Sequence, residues 1–256
     1  MSDEANTIDP DTPLFDAFTP PTYEEWYEAT VKSLKGKPFD KLKKRTYEGI
    51  ELQPLYRAED AQDIAHQYTL PGEYPFVRGT QASGYLTQPW YIAQAIPYAL
   101  PQAFNAALRH DLERGQTAIN IVLDAPTRAG IDPDKADAGA VGRGGLSLAT
   151  SADVRAALDG IDLANVPLHI ESGVSGVQLL ALLQASGMIT GEFSGCLGVD
   201  PLGVLARDGA LPCSLEQAFD EMSALIIWAA DNTPKFRIVN IKTTTYNNSS
   251  ANAIQE

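Results

Sequence analysis

The residues of this chain with obvious chemical potential are three histidines, two cysteines, a cluster of aspartates and one glycine-rich run. His66, His110 and His169 lie far apart, and no two have the i, i+4 spacing that places two imidazoles on one helical face for a metal. His169 falls inside an apolar run of strand length and reads as a core histidine. Asp132, Asp134 and Asp137 share a loop. A calcium loop needs ligands at its first, third and fifth positions and a glycine at the sixth. Here the fifth is Ala136 and the sixth Asp137, which excludes it. Gly142-Arg143-Gly144-Gly145 is neither a phosphate-binding loop nor a dinucleotide fingerprint, and reads as a tight loop before a strand. There is no Gly-x-Ser-x-Gly elbow. Cys196 sits in an apolar strand and reads as core rather than nucleophile. With Cys213 it makes too few thiols for a disulfide framework or a structural zinc site.

The elements that must position these residues belong to a chain of 256 residues with 44% apolar content and a formal net charge of −14. That composition is globular. The acidic balance argues against nucleic-acid binding by phosphate neutralisation. No apolar run reaches the length of a membrane span. Residues 1–13 are polar, acidic and without a secretory signal, and read as a disordered lead. A reduced, cytoplasmic setting is the expectation. Residues 32–45 run against the overall charge. They hold Lys32, Lys35, Lys37, Lys41, Lys43, Lys44 and Arg45 against Asp40, a net +6 that leaves −20 for the remainder. Such a run is either a solvated face or a contact arm for an acidic partner or a phosphate-bearing ligand.

Thr22 and Glu25 have capping-box spacing, so a helix is expected from Thr22 to about Leu34, stopped by Gly36. Residues 47–56 read as a hairpin or extended arm, and 59–68 as a helix. From about residue 70 strands and helices alternate. The expected strands are 118–123, 166–170, 190–197 and 237–243. The expected helices are about 99–113, 151–158, 176–185 and 214–230. Near-continuous apolar strands separated by helices imply a parallel sheet, either open and doubly wound or closed as a (β/α)8 barrel. The polar Asn247-Asn248-Ser249-Ser250 turn and the final ANAIQE look like the start of a further helix. If the fold is a barrel, about three units are missing, so a truncated chain is expected.

One stretch points to a family. Pro71-Gly72-Glu73-Tyr74-Pro75-Phe76-Val77-Arg78-Gly79, then Tyr85-Leu86-Thr87-Gln88-Pro89-Trp90, resembles the barrel-entry signature of methylmalonyl-CoA mutases. Asp124-Ala125-Pro126-Thr127 with Gly130, Asp132 and Asp134 resembles that family's D-L-P-T-H-R-G-Y-D-S-D. Gly195 with Asp200, and Pro234-Lys235-Phe236, follow in order. Glu24-Glu25-Trp26 through Tyr56 looks like the leading arm of the family's small subunit. The resemblance implies a (β/α)8 TIM-type barrel, here ending after about five units. It also implies the family's chemistry: an adenosylcobalamin radical that interconverts methylmalonyl-CoA and succinyl-CoA in the large subunit, with a small subunit of similar fold in heterodimeric enzymes.

The departures favour the small, noncatalytic subunit. The catalytic pattern R-P-W-T-I-R-Q-Y is here Gln88-Pro89-Trp90-Tyr91-Ile92-Ala93-Gln94-Ala95. Gln88 and Ala93 cannot grip a carboxylate or phosphate as an arginine fork does. The glutamine of T-I-Q-N-D is Gly198. The arginine of the following helix falls on Asp220 in a looser alignment. The tyrosine-histidine pair falls on Thr244-Thr245, and Thr245 cannot donate to a thioester carbonyl as histidine would. No Asp-x-His-x-x-Gly occurs, so the chain is expected to bind no cobalamin itself, and no metal. The expected organisation is an arm for subunit contact over 14–70, with Lys41, Lys43, Lys44 and Trp26 as contact residues, and a partial acyl-CoA-mutase-like barrel over 71–256. Its partner would be the catalytic large subunit in a heterodimer. Two rivals remain: a diverged acyl-CoA mutase with its own substrate, and a CoA-binding module. A centre plugged by Tyr91, Leu123 and Leu197 is the expected discriminator against the first; the second would take CoA through the basic arm, and calorimetric titration with CoA separates it.

Overall fold

The computed structural model describes residues 18–255, so the predicted lead over 1–13 lies outside the described residues. The chain divides into two units, residues 1–80 and 81–256.

In the first unit, α1 spans Tyr23–Ser33 and starts as its sequence requires. The Thr22 side chain accepts from the Glu25 N–H at 3.2 Å, and Glu25 accepts from the Thr22 N–H at 2.8 Å. A 3-10 turn at Phe39–Leu42 leads into an antiparallel pair, β1 (Lys44–Arg45) and β2 (Glu51–Leu52). The hairpin thus begins three residues before the predicted Tyr47. The helix expected over 59–68 is only a 3-10 turn at Ala58–Ala61 followed by further turns. Tyr23, Trp26, Tyr27 and Phe39 form an aromatic cluster, with the Arg57 guanidinium 4.4 Å above the Tyr23 ring. No described residue of this unit is fully buried.

The second unit opens with α2 (Pro101–Glu113), whose Pro101 supplies the fixed φ of a first helical turn. Then come β3 (Ile119–Ile121), α3 (Ala125–Ala129), α4 (Ser151–Leu158), β4 (Leu168–Ile170), α5 (Gly176–Ala185) and β5 (Gly195–Val199). The unit continues with α6 (Pro201–Asp208), α7 (Leu215–Asn232), β6 (Phe236–Val239) and α8 (Thr244–Asn248). The four strands form one parallel sheet in the order β3-β4-β5-β6. A parallel bridge from Ala95 to Asn120 adds the preceding segment to the β3 edge.

Neighbouring strands are consecutive in sequence, and β-α-β crossovers share one hand, so the helices gather on one face. There α2 packs on α4, α4 on α5, and α5 on α7. Leu108, Val154, Leu158, Leu179, Leu183 and Leu225 meet Ile119, Ile121, Leu168, Leu197 and Phe236 from the sheet. Each fully buried side chain of this size contributes roughly 1.5–3 kcal/mol. The predicted α4 and α5 coincide with the observed helices. The Ser214 hydroxyl caps α7 by accepting from the Gln217 N–H at 3.1 Å. Thr190–Ser194, expected as strand, is loop, and the ladder starts only at Gly195. The final helix falls on 244–248 rather than after the Asn247–Ser250 turn. Helix α6 went unread because its eight residues open with Pro201 directly after a strand.

Candidate functional site

The alternation of each strand sends one set of side chains to the helices and the other to the opposite face. On β6, Phe236 and Ile238 are buried while Arg237 and Val239 are exposed. Parallel register aligns the second set across the sheet. Asn120 pairs with His169, His169 with Cys196, and Cys196 with Arg237. A row of amide, imidazole, thiol and guanidinium therefore crosses four strands on the face without helices. The row borders a cavity of about 420 Å³ lined by Tyr91, His169, Ser194, Cys196, Lys235 and Arg237 among others.

Cys196 of this row is buried, but His169 is not a core residue. His169 is half-buried, and burial holds its pKa below the ordinary 6.5. Its ring has no hydrogen-bond partner among the described residues. This corrects the reading of a satisfied core histidine. The Cys196 thiol lies 3.6 Å from the Val239 carbonyl oxygen. Burial pushes its pKa up, and the Gly198 backbone and the Arg237 charge oppose that shift. The thiol is protonated at neutral pH and suits contact better than attack. Leu123 and Leu197 were expected to plug this space. Both pack among the buried residues on the helix side, and Tyr91 is 49% exposed at the cavity's border. The cavity is open, with polar and apolar groups both lining it.

The carboxyl ends of the strands are filled instead. Glu171, just beyond β4, pairs with Lys242 beyond β6 and with Arg207 of α6 at 3.5 Å. Arg207 also holds Asp208 at 2.8 Å, which raises the guanidinium's pKa and lowers the carboxyl's. Asp200 caps α6 by accepting from the Gly203 N–H at 2.8 Å. The space left among Glu171, Gly198, Asp200, Arg207, Lys242 and Thr245 is only about 20 Å³.

Two glycines set the shape of β5. A Cβ on Gly195 would lie 2.0 Å from the Leu168 carbonyl oxygen, and one on Gly198 would lie 2.2 Å from that of Ile170. Gly198 has φ +71°, and the ladder with β6 shifts register between Cys196 and Val199. The backbone occupies the space where a side chain at residue 198 would begin.

The other predicted positions are scattered. Gln88 is exposed and its amide donates to the Tyr91 hydroxyl. Ala93 is exposed, and Ala95 bridges to Asn120. Thr244 and Thr245 open α8, and Thr245 reaches the carboxyl-end cluster. In the first unit, Trp26 stacks edge-on against Phe39 at 6.1 Å. Lys43 pairs with Asp40 at 3.0 Å and approaches Glu51 at 3.8 Å, and these carboxylates raise its pKa. Lys41 and Lys44 form no ion pair among the described residues.

The aspartate loop is a scaffold. Asp124 is fully buried and accepts from the Thr127 N–H at 2.9 Å, capping α3, and from the Gly142 N–H at 2.6 Å. The glycine-rich run returns so closely that a Cβ on Gly145 would lie 2.5 Å from the Leu123 carbonyl carbon. Leu146 then bridges in parallel to Leu123. Among the described residues no group of three metal-ligating side chains converges. No helix of the described residues is long and apolar enough to cross a membrane. Sequence reasoning missed Arg237 and Lys235 as facing residues. The period-two pattern of β6 was the available signal.

Comparison with known proteins bears on what this scaffold is. The methylmalonyl-CoA mutase family model matches residues 45–256. The chain is 28% identical over 243 residues to methylmalonyl-CoA mutase of Rhizobium meliloti, covering 93% of this chain and 34% of that protein. It is 28% identical over 245 residues to the mitochondrial methylmalonyl-CoA mutase of Homo sapiens, covering 92% and 32%. With the methylmalonyl-CoA mutase large subunit of Streptomyces virginiae the identity is 33% over 160 residues, covering 62% and 22%. The chain spans about a third of the length of the first two of these curated relatives. Since the family model takes in well over half of the chain and every strand of the parallel sheet, this chain belongs to the methylmalonyl-CoA mutase family.

Proposed function

We propose that this chain is the amino-terminal part of a small, noncatalytic subunit of adenosylcobalamin-dependent methylmalonyl-CoA mutase. In this reading residues 14–70 are an arm for subunit contact. Residues 71–256 are the first five or so units of a (β/α)8 barrel. The strictly sequential strand order, with helices on one face, supports a barrel over a doubly wound sheet, whose order reverses at a switch point. The partner is the homologous catalytic large subunit, and the setting is cytoplasmic.

The observation that carries this reading is Gly198. The family's glutamine is absent there, and the backbone of Ile170 fills the space its Cβ would need. Gln88, Tyr91, Ala93, Ala95, Thr244 and Thr245 likewise lack the arginine, threonine, tyrosine and histidine functions that the family pattern carries at these positions. The described residues also do not fit cobalamin. His110 is engaged by Arg114, His169 lies on the sheet face, and the carboxyl-end space is closed by the Glu171 ion pairs. The corrin and its radical chemistry would reside in the large subunit.

A second reading is favoured by one observation, the open cavity beside His169 and Arg237. A chain that still takes an acyl-CoA or CoA there would be a diverged mutase or a binding module. The deciding experiment is mutase turnover with adenosylcobalamin and methylmalonyl-CoA, run on this chain with its natural continuation, alone and mixed with the large subunit. Inactivity alone with activity and a 1:1 complex on mixing is the expected result. Turnover by the chain alone overturns the supporting role. Heat on titrating CoA, without turnover, selects the binding module.

A further inference from the structure

We propose that the cleft between the aspartate loop and α5, on the helix-covered side of the sheet, binds a small organic ammonium with an apolar body, its charged head against Asp132 and Gln178. The proposal rests on neither reading of the chain's function.

The cleft is built from fixed parts. Asp124 is fully buried and ties down the turn after β3 by accepting from the Thr127 N–H. The Thr127 hydroxyl in turn accepts from the Leu148 N–H at 3.2 Å, which joins that turn to the segment returning from the glycine-rich run. Gly130 ends α3 at φ +70°, and a Cβ there would lie 3.6 Å from the Gln178 side-chain nitrogen. The loop therefore meets α5 closely at this point. Beside it remains a cavity of about 240 Å³ with Leu148, Leu179 and Leu182 as its apolar wall. Leu148 and Leu179 belong to the packed core, so this wall is rigid. The walls come from segments that follow β3 and β4, each of which has a neighbour on both sides. Strands added at either edge of the sheet would not fill the cleft.

Charge selects the ligand. Helix α5 carries no charged residue, although a surface helix ordinarily turns charge outward. Its Val177, Gln178, Ala181 and Ala185 are exposed. Asp132 is the one charged side chain lining the cavity. It has no ion pair or side-chain hydrogen bond among the described residues, and the Gln178 amide has none either. Lys135, three residues on, is taken by Asp134 at 3.2 Å. The second unit carries ten basic residues against eighteen acidic ones, a net −8, and such a field draws cations. An anion would meet Asp132 with nothing to offset it. An ammonium has three N–H donors. It can give one to the Asp132 carboxylate and another to the Gln178 amide oxygen, while its body covers Ile131 and Leu182 at the border. The volume lies just under the roughly 300 Å³ at which drug-sized sites begin, which suits one ring or a short chain.

The test titrates the full chain with phenethylammonium, phenethyl alcohol and phenylpropionate, which carry a cationic, a neutral and an anionic head on one body. Calorimetry reads affinity, and NMR follows the Gln178 side-chain amide and the Leu182 methyls. Saturable binding of the amine is expected, about fivefold tighter than the alcohol, the gain of one accessible ion pair. Both reporters should shift with it, and phenylpropionate should bind weakest. Asp132→Asn should bring the amine down to the affinity of the alcohol and leave the alcohol unchanged. Asp132 is exposed and outside the core, and an unchanged circular dichroism spectrum establishes that the variant is folded. Absence of saturable binding, an amine no tighter than the alcohol, or phenylpropionate as tight as the amine would each overturn the proposal. So would wild-type affinity for the amine in Asp132→Asn, or saturation that leaves Gln178 and Leu182 unshifted. None of these outcomes depends on turnover or on a partner subunit.

Discussion

His169 on β4 stands directly opposite Cys196 on β5 in parallel register, on the face of the sheet without helices. Burial depresses the pKa of the imidazole while no acceptor stabilises its protonated form. The unfolded chain therefore binds a proton at this residue more readily than the folded one. Stability rises with pH where that holds.

The consequence is an acid-sensitive fold. This residue's contribution should be fully present above the ordinary value of 6.5 and be lost as pH falls below it. The loss stops once pH passes the depressed native value, where both states are protonated. Urea unfolding of the wild type and His169→Gln between pH 5 and 8 checks this. The variant should show the shallower pH dependence, and identical slopes would refute it.

Much of the second unit was legible because local signals agreed with burial. Thr150, Ser214 and the glycines after α4 and α5 punctuate the chain where helices begin and end. Strand placement was less legible at β5: Thr190–Ser194 holds one large apolar residue, Phe193, and precedes a ladder that needs Gly195 at close approach. The site was the least legible part. His169 looked like core because apolar neighbours surround it in sequence, whereas Cys196, read the same way, is indeed buried. Only register and the one-sided placement of the helices show that they face a cavity. The plug assigned to Leu123 and Leu197 failed for the same reason. Strand parity, not residue size, decides which face a leucine covers.

Gly198 offers a sharper test. Its φ of +71° and the 2.2 Å approach to the Ile170 carbonyl oxygen oppose any side chain. Gly198→Ala should cost about 2–4 kcal/mol, from left-handed strain together with displaced backbone. Gly198→Gln should be destabilised at least as much and gain no turnover. A denaturant midpoint within error of wild type would show that the bulge in β5 is soft.

The ion cluster at the carboxyl end should matter little to stability. Glu171, Arg207 and Lys242 have side chains 33%, 32% and 55% exposed. Pairs this accessible contribute about 0–1 kcal/mol each. Lys242→Gln should thus lower the thermal midpoint only slightly. The difference from wild type should vanish near about 1 M salt, where screening acts within about 3 Å. A large, salt-independent loss would mean that Arg207 alone does not satisfy Glu171 once Lys242 is gone.

The basic segment divides on the structure. Lys43 is engaged by Asp40 and Glu51 within the first unit, whereas Lys41 and Lys44 form no ion pair among the described residues. If this segment steers a homologous acidic partner, reversing Lys41 and Lys44 together should slow association with the large subunit by about tenfold at low salt. Lys43→Glu should act mainly on the hairpin, because it removes that residue's own ion pairs and sets like charges together. Surface plasmon resonance across a salt series separates the two effects. The wild-type rate should fall with salt toward that of the double variant. A wild-type association rate that does not change with salt would leave the lysines as a solvated face and move the contact elsewhere on the arm.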